Sequence, residues 1–209
     1  MRGIAFIGGE GPSAEKCRNI AEHADCIAAA DSGLLLAEEA GFYPDIIAGD
    51  MDSLDDEERL LKYPAECIYR YPADKDFTDT ELVVDLLQKK GCDEIILLGG
   101  GGGRIAHIFA IKALFERENS LAQWHTAHES MTVLKNRHEC VFDVQKGCLI
   151  SVFPLSKSPW KASSKNLKWE LGPVHWGRDS FGISNIALEN QVSITSLKGK
   201  FLIIAELCP

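Results

Sequence analysis

The chain has 209 residues, 45% of them hydrophobic and 25% charged, with a formal net charge of −9, a composition typical of a soluble globular protein with a sizeable core. The acidity and the lack of a basic run argue against nucleic-acid binding, and no apolar run reaches the length of a membrane span. The first residues contain too short an apolar stretch for a signal peptide. The seven cysteines form no C-x-x-C pair, so we expect reduced thiols in a cytoplasmic protein, without a zinc site or a disulfide framework.

Short apolar runs alternate with helical patterns over the first half of the chain. The apolar runs predict strands at residues 4–7, 26–30, 46–48, 67–71 and 94–98. Helices are predicted at residues 14–23, 34–40 and 105–116, around residues 55–62, and between Thr78 and Gly91. This order of elements predicts a doubly wound α/β domain with a mostly parallel sheet at residues 1–129.

The loops after the first two predicted strands carry polar residues and glycines. The first, GGEGPS at residues 8–13, precedes a helix that Ser13 can cap, and such a loop can cradle phosphate because its backbone N–H groups are free. Its glycines match no known phosphate fingerprint, so an ordinary tight turn stays open. Asp31 and Ser32 follow the second strand, at the edge where parallel sheets bind ligands. Helix capping is their alternative role.

Two carboxylates follow the third predicted strand in the segment PDIIAGDMDS, residues 44–53. Asp50 and Asp52 stand one residue apart just past the strand's carboxyl end. Carboxylates held together repel each other unless a proton or a cation intervenes, and Mg²⁺ takes one or two carboxylates plus substrate phosphates. The sequence thus indicates a metal site, and a polar loop with an Asx turn is the alternative.

The segment ADKDFTDTE at residues 73–81 combines a helix start with a concentration of charge. Thr78 and Glu81 have the spacing of a capping box. Capping does not explain why four other charged residues crowd the same corner, namely Asp74, Lys75, Asp76 and Asp79. Lys75 is a natural counter-charge for phosphate, and Asp79 at the helix start can complete a metal site.

Five glycines at residues 99–103 precede Arg104 and the next predicted helix. Such a run is costly in backbone entropy, and we expect it to allow close approach of the backbone to a ligand. Arg104 can make a bidentate contact to phosphate. His107, at the helix start, is either part of this site or an ordinary surface residue.

The pattern changes in the last third of the chain. From about residue 131 onward, short runs rich in Val, Ile, Phe and Trp alternate with turn residues. Val192 and Ile194, and then residues 201–207, show the period of half-buried strands, with a turn at residues 198–199. This predicts an all-β domain at residues 130–209.

Together these motifs resemble the thiamine pyrophosphokinase (thiamine diphosphokinase) family over nearly the whole chain. GDMDS at 49–53 is similar to its Gly-Asp-x-Asp-Ser motif, and ADKDFTDTE contains its Asp-x-x-Thr-Asp pattern. GGGGGRIAH at 99–107 is similar to its Arg-x-Asp-His signature, although Ala106 replaces the aspartate. LKWEL at 167–171 and GISN at 182–185 are similar to its Leu-Lys-Trp and Ser-Asn segments.

The resemblance implies transfer of the pyrophosphoryl group of ATP to the hydroxyl of thiamine, giving thiamine diphosphate and AMP, with Mg²⁺ holding the triphosphate. It implies that the residues nearest the chemistry are Asp50, Asp52, Asp79 and Arg104, the first three as Mg²⁺ ligands. The residues assigned to the nucleotide are Asp31, Ser32, Lys75, Asp76, Thr78 and His107. Those assigned to thiamine are Trp169, Ser184 and Asn185, although Trp169 is also a candidate core residue of the β domain.

The resemblance further implies a C-terminal β-sandwich and a homodimer whose interface helps to form the thiamine site. A homodimer also fits four large aromatic residues that exceed the needs of a small sandwich core, namely Trp160, Trp169, Trp176 and Phe181. Three other functions stay open. They are a pyrophosphokinase for another hydroxymethyl compound such as a pterin, a binding or sensor protein that has lost turnover, and a dinucleotide-dependent oxidoreductase, which lacks its fingerprint.

Overall fold

The structure of the chain, a computed structural model, describes residues 1–51, 57–119 and 121–207. It divides into two compact units, Met1–Ala127 and His128–Pro209. The division at residue 127 compares with the predicted boundary at residue 129.

The first unit is built on a parallel sheet. Its strands are β1 (Arg2–Ile7), β2 (Cys26–Ala30), β3 (Ile46–Gly49), β4 (Ile68–Arg70), β5 (Glu94–Gly99) and β6 (Gln123–His125). Its α-helices are α1 (Ala14–Ala21), α2 (Gly33–Glu39), α3 (Asp79–Lys89) and α4 (Ile105–Leu114), with 3₁₀ turns at Glu57–Lys62 and Ala65–Cys67. The strand order is β6-β5-β1-β2-β3-β4, and each neighbouring pair is parallel. The predicted α/β fold is confirmed, although β6 was not predicted.

Helices cover both faces of this sheet because the strands are apolar on both sides. Ile4 and Phe6 of β1 share a core cluster with residues of α1 and α2. Gly3, which points to the opposite face, lies against Leu87 of α3. At Gly33, the first residue of α2, a Cβ atom would lie 2.3 Å from the carbonyl oxygen of Phe6. Glycine at this position therefore lets α2 approach β1 closely.

The chain order reverses between β1 and β5, and in open α/β sheets ligands bind outside the carboxyl ends of the strands at such a point. The glycine run follows β5 there, but other backbone atoms of the protein, rather than open space for a ligand, lie beside its first glycines. A Cβ atom on Gly99 would lie 2.1 Å from the carbonyl oxygen of Ile7, and Gly101 and Glu10 exchange two backbone hydrogen bonds of 2.8 and 2.9 Å. The run thus lets two loops of the same chain meet, and only Gly103 lacks a heavy atom closer than 4.0 Å to its Cβ position.

The second unit is a sandwich of two antiparallel sheets. Its strands are β7 (Glu129–Leu134), β8 (Glu139–Asp143), β9 (Leu149–Leu155), β10 (Lys161–Lys165), β11 (Gly182–Ile186), β12 (Gln191–Lys198) and β13 (Lys200–Glu206). One sheet has the order β11-β9-β13-β7 and the other β10-β12-β8. Their inner faces share one core that includes Val152 and Phe201 from the first sheet and Val192 and Ile194 from the second. The predicted sandwich is confirmed, and the turn at residues 198–199 carries the chain from one sheet to the other.

None of the helices in the described part of the chain has the length and apolar character needed to span a bilayer. The described cysteines that are free thiols are Cys17, Cys26, Cys67, Cys92 and Cys140. Burial raises the pKa of the Cys17 and Cys26 thiols to about 11, which keeps them protonated and unreactive. Cys148 is disulfide-bonded, so the prediction of reduced thiols is wrong at that position.

Candidate active site

An open cleft of about 510 Å³ lies at the carboxyl ends of the parallel strands. The loops after β1 to β5 all contribute to it, as expected for a parallel α/β sheet. The residues predicted for nucleotide or metal binding that line it are Asp31, Ser32, Asp50, Lys75, Thr78, Asp79, Arg104 and His107. Asp52 lies outside the described residues. Asp76 is exposed and does not belong to the cleft lining.

Three carboxylates reach this cleft from neighbouring elements. Asp31 follows β2, Asp50 follows β3, and Asp79 begins α3. Two of them lie beside Gly49, where a Cβ atom would be 3.1 Å from Cβ of Asp31 and 3.3 Å from Oδ1 of Asp79. The Oδ1 atoms of Asp31 and Asp79 are buried, and neither accepts a hydrogen bond from the described residues.

Lys75 compensates part of this negative charge. Its Nζ atom lies 3.2 Å from Oδ1 of Asp79 and 3.7 Å from Oδ2 of Asp50, and it donates a hydrogen bond of 3.2 Å to the carbonyl oxygen of Pro72. The Asp79 contact is an ion pair without hydrogen-bond geometry. Only 12% of the Lys75 side chain is exposed, which is unusual for lysine. The ammonium is therefore held in place between carboxylates.

Two non-glycine residues at this edge of the sheet have a left-handed backbone conformation: Asp31, which is one of the three carboxylates, and Met51, which follows Asp50. Asp31 has a φ of 48° and Met51 a φ of 64°, values that L residues adopt at a cost and that cluster at functional sites. The Asp31 N–H donates to the carbonyl oxygen of Ala48, and the Met51 side chain is buried in the cluster with Leu60. These contacts hold the two turns. Ser32 occupies the N-cap position of α2 without a side-chain capping bond, so its predicted alternative role as a cap is not borne out.

The capping alternative is correct for Thr78. The Thr78 hydroxyl accepts a hydrogen bond from the Glu81 N–H at 3.2 Å, and the Glu81 carboxylate accepts one from the Thr78 N–H at 3.0 Å. Glu81 in turn pairs with Arg117 at 2.6 Å. This network fixes the start of α3 at the cleft, and with it the carboxylate of Asp79.

Arg104 supplies positive charge from the loop after β5. It stands at the N-cap position of α4, and its Nη2 atom lies 2.6 Å from Nε2 of His107. Because a guanidinium group only donates hydrogen bonds, Nε2 of His107 is the acceptor and Nδ1 carries the proton. Among the described residues, the remaining N–H groups of the Arg104 side chain have no other hydrogen-bond acceptor, and they suit a phosphate. Ala106 is exposed and lies outside the cleft lining.

Sequence reasoning missed Phe77, which lines the same cleft. Its ring is 53% exposed, although a phenylalanine in a folded domain normally buries most of its surface. The available signal was an aromatic residue inside an otherwise polar and charged loop.

A second candidate surface lies in the sandwich unit. Trp169 is 55% exposed, so the alternative of a core tryptophan is excluded. The ammonium of Lys168 lies 4.6 Å from the centre of its ring, which identifies the ring face as one that accepts a cation. Ser184 is exposed, whereas Asn185 is only 4% exposed and its carboxamide binds protein backbone. The prediction that Asn185 bonds the substrate therefore does not fit its surroundings.

The carboxylates of the cleft fit a divalent cation. Hard oxygen donors suit Mg²⁺, and the buried Oδ1 atoms of Asp31 and Asp79 lack hydrogen-bond donors. Within the described residues, no group of three or more His, Cys, Asp or Glu side chains is arranged to hold a metal ion. Mg²⁺ is often bound by only one or two carboxylates together with water and substrate phosphates.

The protein has two units, a parallel α/β unit followed by a β-sandwich, and the carboxylates, lysine and arginine at the carboxyl edge of the parallel sheet suit a phosphate ligand accompanied by a cation. A sequence profile described as "Thiamin pyrophosphokinase, catalytic domain" matches residues 17–123. The thiamine pyrophosphokinase of Bacillus subtilis (strain 168) is 27% identical over 185 residues, which cover 83% of this chain and 84% of that relative. The chain belongs to the thiamin pyrophosphokinase family, whose members transfer pyrophosphate.

Solved structures agree with this fold over the whole chain. The crystal structure of thiamine pyrophosphokinase from Bacillus subtilis has a TM-score of 0.79 at 23% identity and covers 99% of this chain and 100% of its own. The thiamin pyrophosphokinase from Candida albicans has a TM-score of 0.74 at 14% identity, covering 99% of this chain and 89% of its own.

The position of Lys75 between carboxylates leads to a prediction about the binding of phosphate and of a divalent cation. We expect Lys75→Met to bind inorganic triphosphate at least about tenfold more weakly, because a charge-assisted hydrogen bond is worth about 1.5–3 kcal/mol. Without phosphate, Mn²⁺ should bind more tightly, because Asp50 and Asp79 lose their counter-charge. Calorimetric titration with triphosphate and paramagnetic titration with Mn²⁺ measure these effects.

The matched control is Lys112→Met, which removes a lysine paired with Glu116 on α4. Both affinities should stay unchanged in that variant. Triphosphate affinity that is equal in Lys75→Met and the natural chain would show that Lys75 does not hold phosphate.

Proposed function

We propose that this chain is an ATP:thiamine diphosphotransferase, which converts ATP and thiamine to AMP and thiamine diphosphate. The observation that carries the proposal is the set of carboxylates around Lys75, with Arg104 lining the same cleft. Three carboxylates at one strand edge serve no evident packing purpose, but they suit a cation that is bound together with a triphosphate. Family membership supports thiamine as the acceptor.

In the proposed reaction the thiamine hydroxyl oxygen attacks the β-phosphorus of ATP. The bond between the β-phosphorus and the oxygen that bridges to the α-phosphate breaks, AMP leaves, and the hydroxyl loses its proton. The protein's task is mainly to position the two substrates and to neutralise charge. Lys75 and Arg104 would hold phosphate oxygens, and Phe77 presents an exposed ring face that suits stacking on a nucleobase.

We propose Mg²⁺ as the cofactor, with Asp50, Asp79 and Asp52 as its protein ligands; Asp31 lines the same cleft as Asp50 and Asp79. When bound, the ion would neutralise part of the negative charge of the triphosphate. Asp31 belongs with these carboxylates rather than with a helix cap, since its buried oxygen accepts no hydrogen bond from the described residues.

Thiamine carries a permanent positive charge on its thiazolium ring, and Trp169 offers the aromatic face that such a cation prefers. Lys168 over this ring supports the assignment, because it shows the same type of interaction within the protein. Ser184 is the remaining candidate for a hydrogen bond to the substrate. The assignment of Asn185 to substrate contact is not retained.

The test is formation of AMP from ATP and Mg²⁺, measured with and without thiamine. We expect AMP and thiamine diphosphate in equal amounts and little AMP without thiamine. AMP formed only with a pterin alcohol would favour the related pyrophosphokinase. Binding of both ligands without any AMP at high enzyme concentration would favour a sensor, which the replacement at Ala106 makes a specific alternative.

We predict that Asp50→Asn lowers turnover at least about a hundredfold, because loss of charge stabilisation at a developing transition state costs several kcal/mol. The free energy of unfolding should change by less than about 0.5 kcal/mol, since Asp50 lies in a loop. The same result is predicted for Asp52→Asn. Asp85→Asn, which affects an exposed pair with Arg117, is the control and should retain turnover. Normal turnover in Asp50→Asn would remove Asp50 from the site.

The replacement at Ala106 predicts a weakened site rather than an inactive one. Ala106 lies in the first turn of α4, between Arg104 and His107 but outside the cleft lining. We expect the natural chain to turn over thiamine and Ala106→Asp to raise kcat/KM severalfold. Steady-state kinetics with varied thiamine measures the change, and Ala113→Asp on the same helix is the control. A lower kcat/KM in Ala106→Asp would contradict the prediction.

The predicted cytoplasmic location stays a prediction. We also propose that the protein is a homodimer. Apolar residues are exposed along one stripe of α4, with Ile105 70%, Ile108 39% and Phe109 69% exposed, and such patches mark interaction surfaces. Trp160 and Trp176 are not surplus aromatic residues available for a dimer interface, as the sequence had suggested, because both pack against the sandwich core.

Light scattering at micromolar concentration should show a dimer for the natural chain and a larger monomer fraction for Phe109→Glu. Leu61→Glu is the control, because Leu61 is an exposed leucine, 83% exposed, outside this stripe. A natural chain that is monomeric at this concentration would refute the proposed dimer.

A further inference from the structure

The segment that carries Trp169 has no regular secondary structure of its own. It connects β10 to β11, and its flanking residues Leu167 and Leu171 are 2% and 1% exposed. Trp169 stands between these two anchors with more than half of its surface exposed. Because no strand pairs with this residue, its backbone N–H and C=O groups need partners from elsewhere.

Asn185 supplies both partners. Its Oδ1 atom accepts a hydrogen bond from the Trp169 N–H at 3.1 Å, and its Nδ2 atom donates one of 2.6 Å to the Trp169 carbonyl oxygen. Oδ1 also accepts from the Ile186 N–H at 2.9 Å, which uses both lone pairs of that oxygen. The side chain is 4% exposed. The carboxamide is therefore bound to protein backbone and is turned away from solvent.

An irregularity in β11 turns Asn185 toward this backbone. Gly182 pairs with Val152 and Asn185 with Ile150, so β11 contains one residue more than β9 over this stretch. Ser184 takes up the extra length with a φ of 55°. Because side chains alternate between the faces of a strand, one extra residue inverts the direction of those that follow. Asn185 consequently points inward, whereas Ser184 is exposed.

We propose that Asn185 is a positioning residue, which acts on the substrate only through Trp169. Its carboxamide holds the Trp169 backbone, and this fixes the orientation in which the indole face meets a cationic aromatic substrate. The inference rests on the proposed function for the identity of that substrate as thiamine. The orientation of the indole is a property of the protein alone and can be tested without any substrate.

The first experiment uses the full chain labelled with fluorotryptophan, which gives fluorine signals from four tryptophans. Trp169→Phe assigns the signal of Trp169. In Asn185→Ala we expect that signal to shift and broaden without ligand, while the other three stay in place. Asn190→Ala is the matched control, because it removes an asparagine oxygen that accepts a hydrogen bond from the Lys146 N–H in the same unit and should leave all four signals unchanged.

The second experiment is a double-mutant cycle in steady-state kinetics. We expect Asn185→Ala to raise the KM for thiamine about tenfold, the effect of losing one or two backbone hydrogen bonds, and to leave the KM for ATP within about twofold. In a Trp169→Ala background the same change should add less than about twofold, since residues that act through one group are not additive. Multiplicative effects would show that Asn185 contacts the substrate, which would overturn the proposal.

Asn185→Asp covers the case in which Asn185→Ala does not fold. It keeps the size and the acceptor oxygen but loses the donor to the Trp169 carbonyl, and the same shift of the Trp169 signal is expected. An unchanged Trp169 signal in every soluble Asn185 variant overturns the inference. A natural chain without thiamine turnover would refute the proposed function, whereas the fluorine signals would still decide whether Asn185 positions Trp169.

Discussion

Mutual repulsion of carboxylates is the constraint on which the first unit's site depends. Asp50 and Asp79 share the ammonium of Lys75 at 3.7 and 3.2 Å, and Asp31 and Asp79 both lie beside Gly49. Two like charges about 4 Å apart repel by about 1 kcal/mol in water and about 4 kcal/mol near a protein surface. A phosphate that recruits Lys75 would remove this compensation, and a divalent cation would restore it. Anion and cation should therefore bind together.

The topology of the sheet explains why these charges meet. Parallel strands place all their carboxyl ends at one edge, so the loops after β2, β3 and β5 converge even though they are far apart in sequence. Close approach then depends on a few glycines. Gly33 lets α2 reach β1, Gly99 lets the loop after β5 meet β1, and Gly49 leaves room for two carboxylates. The same residues that allow packing thus set the distances between the charges.

Much of the fold could be predicted because buried strands have a strong local pattern. The strand predicted at residues 26–30 is β2, Cys26–Ala30, whereas β6 escaped because it has three residues, two of them polar. Most of the predicted cleft residues do line the cleft, since the sequence shows which loops follow the carboxyl ends of strands. The direction of the Asn185 side chain could not be predicted, because it depends on one extra residue in β11 and on the pairing of β11 with β9.

A lysine of the protein contacts each of the two candidate ligand surfaces, the cleft of the first unit and the Trp169 ring of the second. Lys75 neutralises carboxylates in the first unit, and Lys168 lies over the ring of Trp169 in the second. In each case a lysine takes the place of a cation that a substrate complex would bring. A cationic ligand on the same face of the Trp169 ring would have to displace Lys168, which would cost about 0.5–1 kcal/mol at an exposed site, whereas a phosphate can keep Lys75 as its own partner. A ligand whose charge is spread over an aromatic ring would overcome this cost best, because it adds stacking to the cation contact that Lys168 already provides.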